Sequence, residues 1–103
     1  MPTFVLSYRN PTGYTRTPES AAAWQAWFAS MGDQLTDLGK PVVSRASLGD
    51  CDPARTGLGG YSLITAPDLD AALAIAKGCP HLDRSGGIEV GELGDVPAGP
   101  QAG

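Results

Sequence analysis

The chain has little cysteine, a single histidine and no long hydrophobic run. Cys51 and Cys79 form no C-x-x-C pair and lack metal-ligand spacing, so we expect free thiols in a reducing compartment. No apolar run is long enough to cross a bilayer. The N-terminus has neither the basic region nor the apolar core of a secretory signal. These absences predict a cytoplasmic protein with no membrane partner.

Positive charge is also scarce. The formal net charge is -4, and the chain has only two lysines and five scattered arginines. Nucleic-acid binding needs clustered Lys and Arg to contact phosphates, so the composition argues against a nucleic-acid partner. One histidine without a dense carboxylate cluster falls short of the usual metal ligand sets. We therefore predict neither a metal nor another cofactor.

The chain does contain enough apolar sequence for one small domain. Hydrophobic residues make up 42% of the 103 positions, which suits a compact core and exceeds what disordered chains carry. Strands are predicted from period-two alternation and helices from period-3.6 stripes. The expected order is strand 3–8, helix 17–38, strand 42–48, strand 58–65, a helix from Asp68 to Gly78, and strand 87–93.

The two helices have clear boundary signals. Thr17 is suited to cap the first helix and Pro18 to open it, while Gly39 and Pro41 are expected to end it. The apolar stripe of this helix, at three- and four-residue steps, consists of Trp24, Trp27, Phe28, Met31, Leu35 and Leu38. The buried face expected for the second helix consists of Leu69, Ala72, Leu73 and Ala76.

The order strand, helix, strand, strand, helix, strand predicts a ferredoxin-like α+β fold. Both helices then cover one face of a four-stranded antiparallel sheet. The other face keeps part of its apolar alternation, and a single small domain has nothing left to cover it. Because an exposed apolar face indicates a partner, we expect a homodimer formed through the open sheet face.

Four short segments are similar to the YCII-related (DGPF-domain) family. They are Gly-Gly-Tyr at residues 59–61, Asp-Leu-Asp-x-Ala at 68–72, Cys-Pro at 79–80 and Gly-x-Ile-Glu-Val at 86–90. The resemblance implies a YCII-related ferredoxin-like domain over residues 1–93, and it implies pairing as a dimeric α+β barrel. The remaining residues, 94–103, are rich in Gly, Pro and Ala and are expected to form a flexible tail.

Two departures separate the chain from that family. The Asp-Gly-Pro-Phe signature is missing, and Asp50-Cys51-Asp52-Pro53 stands in its place. Other members carry a histidine on the first helix that is proposed to act with an aspartate. This first helix has no histidine, although Asp37 lies near the position of that aspartate. An activity built on that pair therefore does not transfer to this chain.

His81 is the natural acid–base candidate, because histidine alone has an unperturbed pKa near neutrality. Asp83 follows it closely and is suited to orient it. Asp50 and Asp52 form a second candidate, since paired carboxylates divide acid and base roles in some sites. The structural alternatives are a solvent-facing histidine beside a helix C-terminus and two ordinary turn formers. The predicted catalytic residues are His81, Asp83 and Asp50.

Aromatic and polar-tipped side chains provide candidate ligand contacts. Trp24 and Trp27 either line an aromatic cavity between helix and sheet or supply core area. Tyr8, Arg45 and Tyr61 are placed on predicted strands, where the register decides which face each side chain occupies. The predicted ligand-binding residues are Tyr8, Trp27, Arg45 and Tyr61.

Two functions stay open from the sequence. The first is small-molecule binding in a helix–sheet cleft bordered by residues 49–57, with cofactor-free acid–base chemistry by His81 or Asp50. It rests on analogy with other dimeric α+β barrels. The second is a non-catalytic dimeric interaction or accessory module, favoured because no nucleophile–base pair, metal set or cofactor loop is evident. A cavity that holds a titratable group with a shifted pKa would favour the first.

Overall fold

The computed structural model of the chain describes residues 1–95. The helices and strands are β1 (Thr3–Pro11), α1 (Pro18–Met31), β2 (Leu35–Asp37), β3 (Thr56–Thr65), α2 (Leu69–Ala76) and β4 (Gly87–Glu92). The 3₁₀ helices Gly32–Gln34 and Pro80–Arg84 follow α1 and α2. All neighbouring strands are antiparallel in the order β2-β3-β1-β4. This confirms the predicted ferredoxin-like arrangement.

The core lies between the two helices and one face of the sheet. On β1, Phe4, Leu6 and Tyr8 alternate with more exposed residues and are buried, as the period-two pattern predicted. Phe4, Leu6 and Ile64 are fully buried, and burying each such side chain stabilises the fold by about 1.5–3 kcal/mol. The rest of the buried apolar core consists of Trp27, Met31, Ala66, Ala72, Ala76 and Cys79.

The start of α1 confirms the predicted cap. The Thr17 hydroxyl accepts the Ser20 N–H at 3.1 Å, and the Ser20 hydroxyl accepts the Thr17 N–H at 2.9 Å. Two of the unpaired N–H groups of the first turn are thereby satisfied in a capping box. Pro18 occupies the first helical position, where its missing N–H costs nothing.

The end of α1 differs from the prediction, which carried the helix to Leu38. The helix ends at Met31, because Gly32 turns the chain with φ 56° and ψ -130°. Residues 35–37 then pair with β3 as a short edge strand. Leu35 packs against the core from this strand rather than from a helix, and Leu38 is 57% exposed. Ladder hydrogen bonds to β3 therefore outweigh the continued helical period.

The predicted strand at residues 42–48 is wrong. Beside β3, Pro41 forms a bridge with Gly60, and the Val42 N–H donates to the Gly59 carbonyl at 3.0 Å. Within the described part of the chain, no residue from 43 to 48 pairs with a strand. Val43 and Leu48 are 93% and 91% exposed. The edge of β3 beside residues 63–64 is occupied by β2 instead.

The start of α2 was predicted correctly, but its buried face was not. The Asp68 carboxylate accepts the Ala71 N–H at 2.8 Å and caps the helix. Ala72 and Ala76 are buried, whereas Leu69 and Leu73 are nearly half exposed. The small alanine side chains face the sheet, and the two leucines flank that contact.

The sheet face away from the helices carries the other half of each strand's alternation. Val5 pairs with Leu63, and Ser7 pairs with Tyr61, on the strands whose intervening residues are buried. Successive side chains of a strand point to opposite faces, so these four lie on the face opposite the core. Val5 and Leu63 are partly exposed there.

Most of the predicted tail, 94–103, lies outside the described residues. Within residues 1–95, no helix combines the length and the apolar character that a membrane crossing requires. The cytoplasmic location stays a prediction.

Candidate functional site

A cleft of about 430 Å³ opens between α1, the end of β1 and the chain segment 38–42. It lies on the helix-covered side of the sheet, where Tyr8 faces the core. Its aromatic wall consists of Tyr8, Tyr14, Trp24 and Phe28. The polar side chains that border it include Asn10, Arg16, Lys40 and His81.

A bulge in the β1–β3 ladder positions the polar end of the cleft. Tyr8 pairs with Gly60 and Arg9 with Leu58, which leaves Gly59 as the extra residue of β3. A Cβ atom on Gly59 would come within 2.6 Å of the Asn10 side-chain carbon Cγ. Glycine at this position therefore makes room for the Asn10 amide beside the cleft.

His81 lies behind this amide and is only 2% exposed. Its Nε2 is 2.6 Å from the Asn10 Oδ1. The rings of Tyr14 and Trp24 meet the imidazole edge-to-face, each with centroids 4.8 Å apart. The structure thus places this histidine in the interior and not on the solvent-facing loop that the structural alternative assumed.

The surroundings of His81 favour its neutral form. Burial lowers the pKa of its imidazole, and the positive charge of Arg84 lowers it further. Among the residues that the structure describes, Nδ1 is buried and has no hydrogen-bond partner, so a proton there would be unsatisfied. Since the Asn10 oxygen can only accept, Nε2 carries the proton of the neutral ring. The Asn10 NH₂ group then stays available as a donor.

The Tyr8 hydroxyl links the aromatic wall to the segment at residue 38 through two hydrogen bonds. It donates to the Ser62 Oγ at 2.7 Å, and the Ser62 hydroxyl donates to the Leu38 carbonyl at 2.6 Å. Burial raises the pKa of Tyr8, although the hydrogen bond to Ser62 acts in the opposite direction. The phenol is therefore neutral at physiological pH, and its proton is engaged in holding the segment at residue 38 against the sheet.

The structure scatters the other predicted site residues. Trp27 belongs to the core, where its indole N–H donates to the Ile75 carbonyl at 3.2 Å. Arg45 is exposed beside Gly57 on an irregular segment rather than a strand. Asp50 is exposed, and Asp83 is exposed in a separate groove beside Trp27. The predicted site residues that border the cleft are Tyr8, Tyr61 and His81, although strand alternation puts the Tyr61 side chain on the open sheet face.

Sequence reasoning missed several residues that border the cleft, for identifiable reasons. The first strand was predicted to end at Tyr8, but β1 continues to Pro11, which puts Asn10 on the same face two residues later. Lys40 lies between Gly39 and Pro41, the two residues expected to end the overlong helix, and received no role from the sequence. For Arg16, no pattern in the sequence pointed to a site.

The two cysteines lie in different environments and are both free thiols. Burial raises the pKa of Cys79 to about 11, so this thiol is protonated and inert at neutral pH. Cys51 is exposed, and its Sγ is 3.2 Å from the Leu48 carbonyl. Within the described residues, no group of three or more His, Cys, Asp or Glu is arranged to hold a metal ion.

Comparison with known proteins identifies a fold and no family. No family model matches the chain, and no curated protein matches it. A solved structure is similar: 5-chloro-2-hydroxyhydroquinone dehydrochlorinase (TftG) from Burkholderia phenoliruptrix AC1100, in complex with 2,5-dihydroxybenzoquinone. The two chains are 14% identical with a TM-score of 0.64, and the match covers 89% of this chain and 93% of the other. The chain therefore shares its α+β fold with that enzyme.

Proposed function

We propose that the protein binds a small organic molecule in the cleft between α1, β1 and residues 38–42. The observation that carries this proposal is the cavity itself, about 430 Å³ with an aromatic wall and a few polar groups at one end. Small-molecule sites have volumes of about 300–1,000 Å³ and this kind of lining. The TftG structure with 2,5-dihydroxybenzoquinone supports the use of flat, oxygen-bearing compounds as first probes.

His81 is the residue we propose to handle a proton of the bound molecule. Its pKa is lowered by burial, so the neutral ring is present at physiological pH. Its Nε2 points to Asn10, which borders the cleft. Nε2 carries the proton of the neutral ring, so a ligand oxygen that replaces the Asn10 oxygen would accept a hydrogen bond from it. The ring would take up a ligand proton at Nε2 only after its own proton had moved to Nδ1. The proposal assigns this role to His81 without Asp83 and Asp50, because neither borders the cleft.

Two copies of the chain are proposed to pair through the open sheet face, as in a dimeric α+β barrel of the YCII-related type. Val5 and Leu63 are apolar neighbours on that face, opposite the buried core positions of the same strands. An apolar sheet face is a common site of self-association, and two-fold pairing covers both copies with one contact.

Blocking the cleft tests the binding proposal. Ala21 borders the cleft from α1, whereas its neighbour Ala22 is exposed and does not border it. We expect planar organic compounds to raise the melting temperature of the unaltered protein and of Ala22→Trp, but not of Ala21→Trp, whose indole occupies the cavity. An equal response from both variants would refute the cleft as the site. If no compound in the panel stabilises the protein, the interaction-module function replaces this one.

A further inference from the structure

We infer that the cleft selects an organic anion with a flat, ring-sized body, an inference that rests on the function proposed above. The chain carries 11 acidic residues and a formal charge of -4. The charged side chains that border the cleft are nevertheless Arg16 and Lys40, and among residues 1–95 no Asp or Glu borders it. On an acidic protein, this opening is a local positive region that attracts negative ligands.

The hydrogen-bonding groups at the cleft have the same bias towards anions. Because His81 donates to the Asn10 oxygen, the Asn10 NH₂ group is left to donate towards a ligand. Arg16 and Lys40 carry donors only. The Tyr8 hydroxyl is engaged with Ser62 and does not compete. Among the described residues, the cleft therefore offers three donor groups and no acidic side chain. This suits a ligand with a carboxylate, phenolate or enolate oxygen, since hydrogen bonds to a charged acceptor are the stronger ones.

The shape of the cleft restricts the rest of the ligand. Trp24 is in contact with both Tyr8 and Phe28, with ring centroids 4.8 Å and 5.7 Å apart, so the aromatic wall is continuous. Ring-on-ring contacts contribute about 0.5–1.5 kcal/mol beyond the area they bury. A small aliphatic anion or an inorganic ion would leave this wall uncovered, so charge and a flat body are both required.

Matched probes separate charge from shape. We would titrate benzoate, benzamide and acetate into the ¹⁵N-labelled protein and follow the backbone amide and indole signals by NMR. Benzoate is expected to shift the Trp24 indole signal and to bind about tenfold more tightly than benzamide, the difference between a charge-assisted and a neutral hydrogen bond. Acetate is expected to bind more weakly than benzoate, and the benzoate affinity should fall as salt is added.

Charge-neutralising variants locate the effect. Arg16→Gln and Lys40→Gln are each expected to weaken benzoate binding by about fivefold, the effect of one partly exposed ion pair, and to leave benzamide binding unchanged. Arg55→Gln is the control. Arg55 is exposed and does not border the cleft, and its substitution removes the same net charge. An equal loss in Arg55→Gln would show that the overall charge is responsible and would overturn the inference.

The remaining outcomes distinguish this inference from the function beneath it. If benzamide binds at the Trp24 indole as tightly as benzoate, the cleft binds small molecules but does not select anions, and only the inference fails. If acetate binds as tightly as benzoate, the inferred requirement for a flat ligand body is wrong. If no probe shifts a cleft signal at millimolar concentration, both the inference and the proposed function are rejected.

Discussion

His81 connects the candidate site to the stability of the fold. Its pKa is lowered in the folded protein, so the unfolded chain takes up this proton first as the pH falls. We expect its contribution to the free energy of unfolding to be complete above about pH 7 and to be lost as the pH drops below the unfolded value of 6.5. Urea unfolding of the unaltered protein and of His81→Gln at several pH values measures this.

The variant serves as the control for that experiment, because all other titrating groups are common to both chains. The difference between the two stability curves should therefore decrease on acidification. Curves that stay parallel between about pH 7.5 and pH 5 would contradict the lowered pKa of this imidazole.

Gly59 and Gly57 form a matched pair that tests how Asn10 is positioned. A Cβ on Gly59 would overlap the Asn10 amide, whereas a Cβ on Gly57 would meet the side chain of Arg45, which is exposed and flexible. We expect Gly59→Ala to break the 2.6 Å contact between Asn10 and His81 and to cost about 1–3 kcal/mol, the usual effect of overpacking. Gly57→Ala should stay within about 0.5 kcal/mol.

The imidazole ¹⁵N chemical shifts of the chain's single histidine provide the site-specific measurement. They should report a protonated Nε2 in the unaltered protein and in Gly57→Ala, and a mixture of tautomers in Gly59→Ala. A Gly59→Ala protein with an unchanged tautomer would show that Asn10 does not depend on the space at Gly59.

At the scale of elements, Gly32 decides where α1 ends and β2 begins. Its φ of 56° with ψ of -130° is unfavourable for residues with a Cβ, and no atom lies within 4 Å of the Cβ position. The cost of Gly32→Ala is therefore conformational, about 1–3 kcal/mol, with a matching decrease in melting temperature. Thermal unfolding followed by circular dichroism measures it.

Gly87→Ala is the control for this prediction. Gly87 lies in β4 without a positive φ, and a Cβ there would make ordinary contacts of 3.7 and 3.8 Å with Arg9. The free energy of unfolding of Gly87→Ala should differ from that of the unaltered protein by less than about 0.5 kcal/mol. If the two variants have the same melting temperature, the backbone conformation at Gly32 is not what separates the helix from the edge strand.

The same elements indicate how far local sequence signals reach. The cap at Thr17 and the cap at Asp68 were predicted correctly, because each depends on a residue three positions away. The end of α1 and the irregular segment 42–48 were not, because both depend on which segment pairs with the edge of β3. The sequence has a helical period at residues 32–38 and a strand alternation at residues 42–48, and the structure adopts neither of them.

At the scale of the whole molecule, two partly exposed leucines test the mode of pairing. Leu63 lies on the open sheet face and Leu73 on α2, so Leu63→Glu and Leu73→Glu introduce the same charge at different surfaces. We expect Leu63→Glu to sediment with half the mass of the unaltered protein, because a carboxylate buried at a dimer contact is strongly unfavourable. Leu73→Glu should stay dimeric.

Sedimentation equilibrium with circular dichroism as a check on folding separates the outcomes. A dimer that persists in Leu63→Glu and dissociates in Leu73→Glu would assign the interface to the helical side. An unaltered protein that sediments as a monomer at all concentrations would refute the pairing altogether.

The sequence alone determined both helices, the strands β1, β3 and β4, and the residues that start both helices, whereas it put the second strand at 42–48 instead of Leu35–Asp37. These depend on period-two and period-3.6 patterns and on caps, which act within a few residues. The ferredoxin-like order followed from them. Tyr8 and His81 were recognised individually as candidates, without any means of placing them together.

Only the tertiary structure decided the end of α1, the edge strand and the composition of the cleft. Asn10 and His81 are 71 positions apart, and Tyr8 and Ser62 are 54 apart, so no local pattern records either contact. The Asn10–His81 contact depends on a bulge in the β1–β3 ladder and on the space left by Gly59. The candidate site is therefore a product of strand register, which competition between distant segments settles and short-range propensity does not.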